Sequence, residues 1–354
     1  MELQKSVQGT VQKKLPKLSQ KLQQVVNCLQ RPSSQPLQEY YKDYDAELEG
    51  IKPSVALVKS RDLHWGLLAT RDHKDVNLSS LRSLLVADGA NPWSLSSCDQ
   101  FAATFAAHGL RSEAMCPCSG SSETGTISLR KRSASGSGSS GRGILSMAAL
   151  SHSVVRVDKE NSLTSLTLQD AGQVIPSGSV VVVKQTGPAR LCRADELGEI
   201  CLCANSTGNA YWGLEGVSAA TFKIEPLGAD DRPLGPRRYV RSGLIGFMGP
   251  DGLVFVVGRR TAQLSVSGRQ HSADDIIATV LAVEPMRFVY RGRIAVFSVS
   301  VLRDERIVIV AEQKPGASEE DAFTWMSRVL QAVDAIHQVG IYCLALVPSN
   351  QLPK

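Results

Sequence analysis

YVRSGLIGFMGPDGLVFVVGRRTAQLSVSGRQHSADDIIATVLAVEP, residues 239–285, is the stretch on which the fold turns. A Gly-flanked turn runs into a Gly-Pro-Asp-Gly reversal and then a β-branched strand at Leu253 to Val257. Gly258, Arg259 and Arg260 follow, then a short strand. Gly268-Arg269-Gln270-His271 next feeds a helix whose Ser272 and Asp275 have capping-box spacing and which Pro285 ends. The pattern is β before Gly258 and mixed after it, so two structural units are expected to meet there.

Before the junction, residues 144–257 carry short β runs at Val154 to Val157, Leu163 to Leu168, Val180 to Lys184, Gly198 to Cys203 and Leu253 to Val257. Gly and Pro turns separate them, which predicts a small distorted β-barrel or sandwich. After the junction, residues 258–354 predict a small α+β domain. Its strands Ile294 to Val301 and Ile307 to Val310 flank an Arg303-Asp304-Glu305-Arg306 hairpin. Ser318 and Asp321 cap a helix with an inner stripe of Phe323, Met326, Val329, Leu330, Val333 and Ile336, and Ile341 to Val347 is a final strand. Residues 53–130 alternate strand, helix and turn, from Val55 to Val58 through Leu63 to Ala69, Leu84 to Ala87 and a helix starting at Ser96 that Gly109 ends, to Ala114 to Cys116. That order predicts the edge of a parallel α/β sheet with switch-point loops near Gly89 and Gly120.

The 354 residues are 43% apolar and 21% charged, ordinary for a soluble chain of two or three units. The longest apolar runs, Val180 to Val183 and Val254 to Val257, are strand-sized, and the N-terminus lacks a signal peptide's apolar core. A cytoplasmic location without a transmembrane segment is therefore expected. The eight cysteines read as free thiols: Cys116 with Cys118, and Cys201 with Cys203, are spaced too closely for usual zinc pairs and share a strand face. A net charge of +5 is too small for a nucleic-acid footprint, so no nucleic-acid partner is expected.

Residues 1–52 form a Gln-, Lys- and Ser-rich lead-in, where Leu15, Leu18, Leu22, Val25 and Leu29 predict an amphipathic helix. Its functional reading is a protein-docking helix over residues 15–30, and its structural reading is a helix lying on the main body or a frayed tail. Residues 131–143 form a Ser/Gly linker; the G-x-G-x-x-G at Gly136, Gly138 and Gly141 follows a basic tripeptide rather than a strand, which argues against a dinucleotide site. The serines beside Arg130, Lys131 and Arg132 are candidate phosphoacceptors.

DVNLSSLRSLLVADGANPWS, ELGEICLCANSTGNAYWG, YVRSGLIGF and GRRTAQLSVSGRQHSADDIIATV resemble, in sequence and order, the second half of the fatty acyl-AMP ligase branch of adenylate-forming, AMP-binding enzymes. ADGANPWS, AVEPMRFVYRGRIAVFSV, SRVLQAVDAIHQVGIYCLALVP and the final LPK are similar to the first such domain of the disco-interacting protein 2 family. The resemblance covers about residues 53 to 354. It implies a partial parallel α/β sheet, a distorted β-barrel and a C-terminal α+β domain, with most of the N-terminal lobe lying upstream of the match. Such a truncated sheet is expected to leave apolar edge surface near Val55 and Val86.

The resemblance further implies ATP and Mg as cofactors and an acyl or lipid ligand. Nucleotide contacts fall on Gly120, Glu123, Ser242, Gly243 and Arg259, with Glu123 as the Mg ligand. Gly258, Ala262, Gly268, Arg269 and His271 fall on the hinge and on the small-domain turn that faces the active site. Departures from the motif concern the same chemistry. Ser119 stands where an aromatic residue stacks on adenine, Leu244 where a carboxylate binds the ribose, and Ala262 near the usual hinge side chain; the phosphate loop and catalytic lysine lie outside the match. No catalytic residue is assigned. The expected function is therefore a fragment or short isoform of a fatty acyl-AMP ligase-like protein, linked to acyl or lipid metabolism and not competent alone. The alternative is an acyl-adenylating ligase that retains ATP and fatty-acid binding.

Overall fold

Three parallel strands begin the described chain: β1 (Val55–Val58), β2 (Ser83–Val86) and β3 (Met115–Ser121). Helices α1 (Ser60–Ala69) and α2 (Leu95–Ala106) connect them, burying Leu63, Phe101 and Phe105 against Leu84 and Val86. In this computed structural model the described residues are 54–69, 76–88, 95–130, 141–159, 162–284, 288–316 and 318–352. The chain divides into Met1–Lys52 and Pro53–Lys354, and all described residues belong to the second unit. The helix expected over 15–30, and Gly136 and Gly138 of the glycine motif, lie outside the described residues.

From β3 the chain turns back as β4 (Gly125–Leu129), and the sheet continues antiparallel. Its further strands are β5 (Arg142–Ser146), β6 (Ser165–Val174), β7 (Ser179–Val183), β8 (Gly198–Cys203), β9 (Val240–Met248) and β10 (Leu253–Arg259), with the short helices α3 (Met147–Ser151) and α4 (Glu215–Phe222) between. The order is β1-β2-β3-β4-β6-β10-β9-β8-β7, with β5 on β6: ten strands in one open sheet that does not close among the described residues. The barrel-like part is thus continuous with the parallel edge. Two expectations change. Val154 to Val157 makes only isolated bridges, and the supposed Gly-flanked turn at 243–246 lies inside β9, where Gly243 at φ +70° accommodates a local kink.

The junction also moves. Gly258 sits within β10 beside a register shift against β9, and the chain leaves the large sheet at a single 3-10 turn, Arg260–Ala262. Beyond it, β11 (Gln263–Val266) and β12 (Arg269–Ser272) form a ribbon closed by Ser267 and Gly268, both with positive φ. Helix α5 (Ala273–Val283) follows from an N-cap at Ser272, whose Oγ accepts from the Asp275 N–H. The strands β13 (Val289–Val301), β14 (Asp304–Gln313) and β15 (Ile341–Val347) make a three-stranded sheet, with α6 (Glu319–His337) before the last. The hairpin tip is Leu302-Arg303, both with positive φ, one step earlier than the Arg303-Arg306 reading; Asp304 already pairs with Val301.

Two burial expectations are corrected. The inner face of α6 is Trp325, Val329, Val333 and His337, while Phe323 is 69% and Leu330 43% exposed. Both stripes share Val329 and Val333, but the tryptophan at 325 rotates the buried face because it fills the core by stacking on Phe288, centroids 5.2 Å apart. At the parallel edge, Val55 and Leu57 are exposed as expected, but Val86 is fully buried, because β2 is flanked by β1 and β3.

Trp325→Ala should therefore destabilise the chain by about 3–5 kcal/mol, and Phe323→Ala by no more than about 0.5 kcal/mol. Equilibrium denaturant unfolding checks this; equal losses would contradict the assigned helix face.

Candidate functional site

The carboxyl ends of β1 and β2 place Lys59 and Asp88 at the rim of a cleft of about 810 Å3. That location follows the rule that open α/β sheets bind ligands beyond the carboxyl ends of their strands. Asp88 accepts from the Ser60 N–H at 2.7 Å and its hydroxyl at 2.8 Å, which fixes the start of α1 against the cleft. The end of β3 and the turn that follows it supply Ser119 to Glu123, β9 supplies Arg241 to Leu244, and Arg259, Arg260 and Thr261 come from the junction.

All five residues expected to contact a nucleotide, Gly120, Glu123, Ser242, Gly243 and Arg259, line this cleft. Their roles differ. Gly120 is sterically required, since a Cβ there would lie 2.3 Å from the Gly125 carbonyl oxygen. Ser242 is buried; its hydroxyl donates to the Ile200 carbonyl at 2.6 Å and accepts from the Leu244 N–H at 3.0 Å, bracing the kink at Gly243. Arg259 is exposed and has no ion-pair partner among the described residues. Ser119 is buried in a 2.6 Å hydrogen bond with Ser128 and offers no ring, while Leu244 presents hydrocarbon in the cleft wall.

Glu123 Oε1 accepts from the Tyr211 hydroxyl at 2.9 Å, and the Glu123 carbonyl accepts from the Gly208 N–H at 2.8 Å. Burial pulls the Glu123 carboxyl upward, but hydrogen bonds from its own backbone, Tyr211 and Ser121 together hold it below the ordinary carboxylate range. At the cleft's base, Glu199 is 1% exposed and receives Arg241 together with Arg260, the latter at 3.2 Å. Sequence reasoning missed Lys59, Asp88, Glu199, Tyr211, Arg241 and Arg260. Lys59 and Asp88 had a usable signal, each directly following an apolar β run; the two arginines and Glu199 had none beyond their motif neighbours.

Gly268, Arg269 and His271 are not in the cleft lining. Arg269 donates through Nε to Ser151 Oγ and through Nη1 to the Gln338 carbonyl, both at 3.0 Å, joining β12 to α3 and to the end of α6. His271, Asp275 and His337 line a separate cavity of about 40 Å3 with α3. There, His271 Nε2 and Asp275 Oδ1 are buried without a hydrogen-bond partner among the described residues, while His337 Nε2 meets Thr279 Oγ1 at 2.8 Å. Ala262 packs on the core of the small domain rather than in the cleft. No group of three His, Cys, Asp or Glu side chains suited to a metal occurs among the described residues, and their seven cysteines are free thiols.

No family model matches the chain. Disco-interacting protein 2 of Drosophila melanogaster is 64% identical over 321 residues, covering 86% of this chain and 18% of that protein. A medium-chain-fatty-acid acyl-carrier-protein ligase of Moorena producens is 26% identical over 291 residues, covering 79% of this chain and 45% of the relative. A solved structure from studies of fatty acyl-adenylate ligases of E. coli and L. pneumophila superposes with a TM-score of 0.65 at 16% identity, covering 85% of this chain and 50% of the other. That likeness shows the fold, a segment of the adenylate-forming architecture. The chain spans about a fifth of the length of the disco-interacting protein 2 relatives it matches. No helix among the described residues is long and apolar enough to cross a membrane.

The small cavity carries a pH signature. Burial first, and Asp274 second, push the Asp275 carboxyl up to about 7. Burial also pushes His271 and His337 down to about 4, helped by Arg269 and His152 at the first and by His271 at the second. The stabilisation from protonated Asp275 is complete below its ordinary value of 3.8 and is lost as pH rises through about 7. The histidines work in the opposite sense: their contribution is present above 6.5 and lost as pH falls through about 4. Asp275→Asn should therefore gain stability relative to the parent between pH 4 and pH 8, by up to about 4 kcal/mol at roughly 1.4 kcal/mol per pKa unit. Denaturant unfolding at several pH values reads this directly, and a pH-independent difference would contradict it.

Proposed function

The chain belongs to the disco-interacting protein 2 family, and from that premise we propose that residues 53–354 form the ribose-and-hinge part of a fatty acyl-AMP ligase-like unit. It binds an adenylate-type ligand in the cleft and does not carry out adenylation by itself. The observation that carries this reading is the convergence of Gly120, Glu123, Gly243 and Arg259 on one cleft that also gathers Lys59, Arg241 and Arg260. The cleft of about 810 Å3 has Lys59, Arg241, Arg259 and Arg260 in its wall, cationic groups suited to a phosphate-bearing head group. The link to acyl or lipid metabolism rests on the relatives, one of which is named for ligating a medium-chain fatty acid to an acyl-carrier protein.

Two features argue against autonomous chemistry. Leu244 cannot accept hydrogen bonds from ribose hydroxyls, so that part of a nucleotide would lose its hydration without replacement. The Gly268-Arg269-His271 turn is engaged with α3 and Gln338 rather than turned toward the cleft. For Mg, the residues fit in one limited way: Glu123 is a single carboxylate ligand, and such an ion would take its other ligands from phosphate oxygens and water. Bound there, the ion would neutralise phosphate charge alongside Arg259 and Arg260 of the same cleft.

Two outcomes are expected. Purified residues 1–354 should show no acid-dependent exchange of pyrophosphate into ATP; measurable exchange would overturn the non-catalytic part. ATP and 2′-deoxy-ATP should bind within about threefold of each other by calorimetry, since no carboxylate reads the hydroxyl; a preference of several orders of magnitude, typical of a site built for that hydroxyl, would refute the role given to Leu244.

A further inference from the structure

Tyr211 is the one aromatic side chain among the described residues lining the cleft. Its ring is held at several points. The hydroxyl donates to Glu123 Oε1 at 2.9 Å, and the ring makes a T-shaped contact with the buried Phe222, centroids 5.0 Å apart at 68°. Its backbone is clamped by Ser218 of α4: the Tyr211 N–H donates to Ser218 Oγ at 2.8 Å, and that hydroxyl donates back to the Tyr211 carbonyl at 3.3 Å. Gly208, in the same loop, donates to the Glu123 carbonyl and approaches Phe222 so closely that a Cβ would lie 2.9 Å from the ring. The loop before α4 and the Gly120–Glu123 turn are thereby one assembly that presents a fixed phenol at the cleft. Little ordering remains to be done when a flat ligand arrives.

We propose that Tyr211 is the base-stacking residue of this cleft, receiving the face of a flat heteroaromatic ring whose phosphates extend toward Arg259 and Arg260. Ser119, buried against Ser128, cannot serve that purpose, so the aromatic surface comes from a different loop. Every purine or pyrimidine has a π-face, so stacking alone is tolerant of base identity, and the Tyr211–Glu123 hydrogen bond sets the ring's tilt rather than its affinity. This inference rests on the nucleotide reading of the cleft.

The test titrates the full chain with ATP and separately with inorganic tripolyphosphate, which has charge but no ring. Tyr211→Ala and Tyr211→Leu should each weaken ATP binding about tenfold or more, Tyr211→Phe less than about threefold, and neither ring-deleting change should alter tripolyphosphate binding. Trp212→Ala, at the fully exposed neighbouring position, should leave both unchanged. Tyr211→Leu keeps the side-chain bulk against Phe222, so it decides the matter should the alanine variant unfold. Parental ATP affinity in Tyr211→Leu, or an equal loss of tripolyphosphate binding, would overturn the stacking role while leaving the cleft's reading intact. Failure of the parent chain to bind either probe would instead remove the nucleotide reading, and this inference with it.

Discussion

A carboxylate buried to 1% exposure must be matched by charge, and in this protein Glu199 is matched by two guanidinium groups. Its strand, β8, lies beside β9, which carries Arg241, and the second arginine, Arg260, begins the turn by which the chain leaves the large sheet. Removing either arginine would leave a buried charge short of partners, a far larger penalty than losing a surface pair. Glu199 therefore ties the antiparallel sheet to the junction and sets the cleft floor. It also sets the electrostatics: Lys59, Arg241, Arg259 and Arg260 against Asp88, Glu123 and Glu199 give four positive and three negative side chains, a net of +1. Capture of an anion then depends on where the unpaired Arg259 points, not on overall field.

The junction separates two polar sites with different physics. On one side the cleft is wide and lined by charges, of which Arg241 and Arg260 pair with Glu199. On the other, the cavity beside α3 is small, and burial there shifts its titratable groups toward their neutral forms. Arg269 lies between β12, α3 and the end of α6, and its two hydrogen bonds hold the small domain's first turn against the large sheet's short helix.

Much of the fold was legible because its signals are local. Gly198 to Cys203 reads as a strand from its own residues, and Ser318 with Asp321 forms the reciprocal capping box its spacing announces. The failures have long-range causes. The stripe on α6 was misread because Trp325, not Phe323, meets Phe288 from a different element, and Val86 was placed at an edge because a sequence does not reveal which strands flank which. The motif residues Gly120, Glu123, Ser242, Gly243 and Arg259 all line the cleft, while Tyr211 lies 88 residues from the Glu123 it touches and no periodicity connects them. His271 and Arg269 stand at motif positions, yet Arg269 is taken up by hydrogen bonds to Ser151 of α3 and to Gln338, and His271 lines the small cavity beside α3, placements that depend on long-range packing.

The most direct measurement of the central claim, that the cleft at the junction is the ligand site, is backbone hydrogen exchange of the full chain with and without saturating ATP and magnesium. Protection should rise in three separated segments, residues 119–124, 208–212 and 240–244, with little change in α6. Exchange unaltered in those segments, or protection concentrated around His271 and α3, would contradict it.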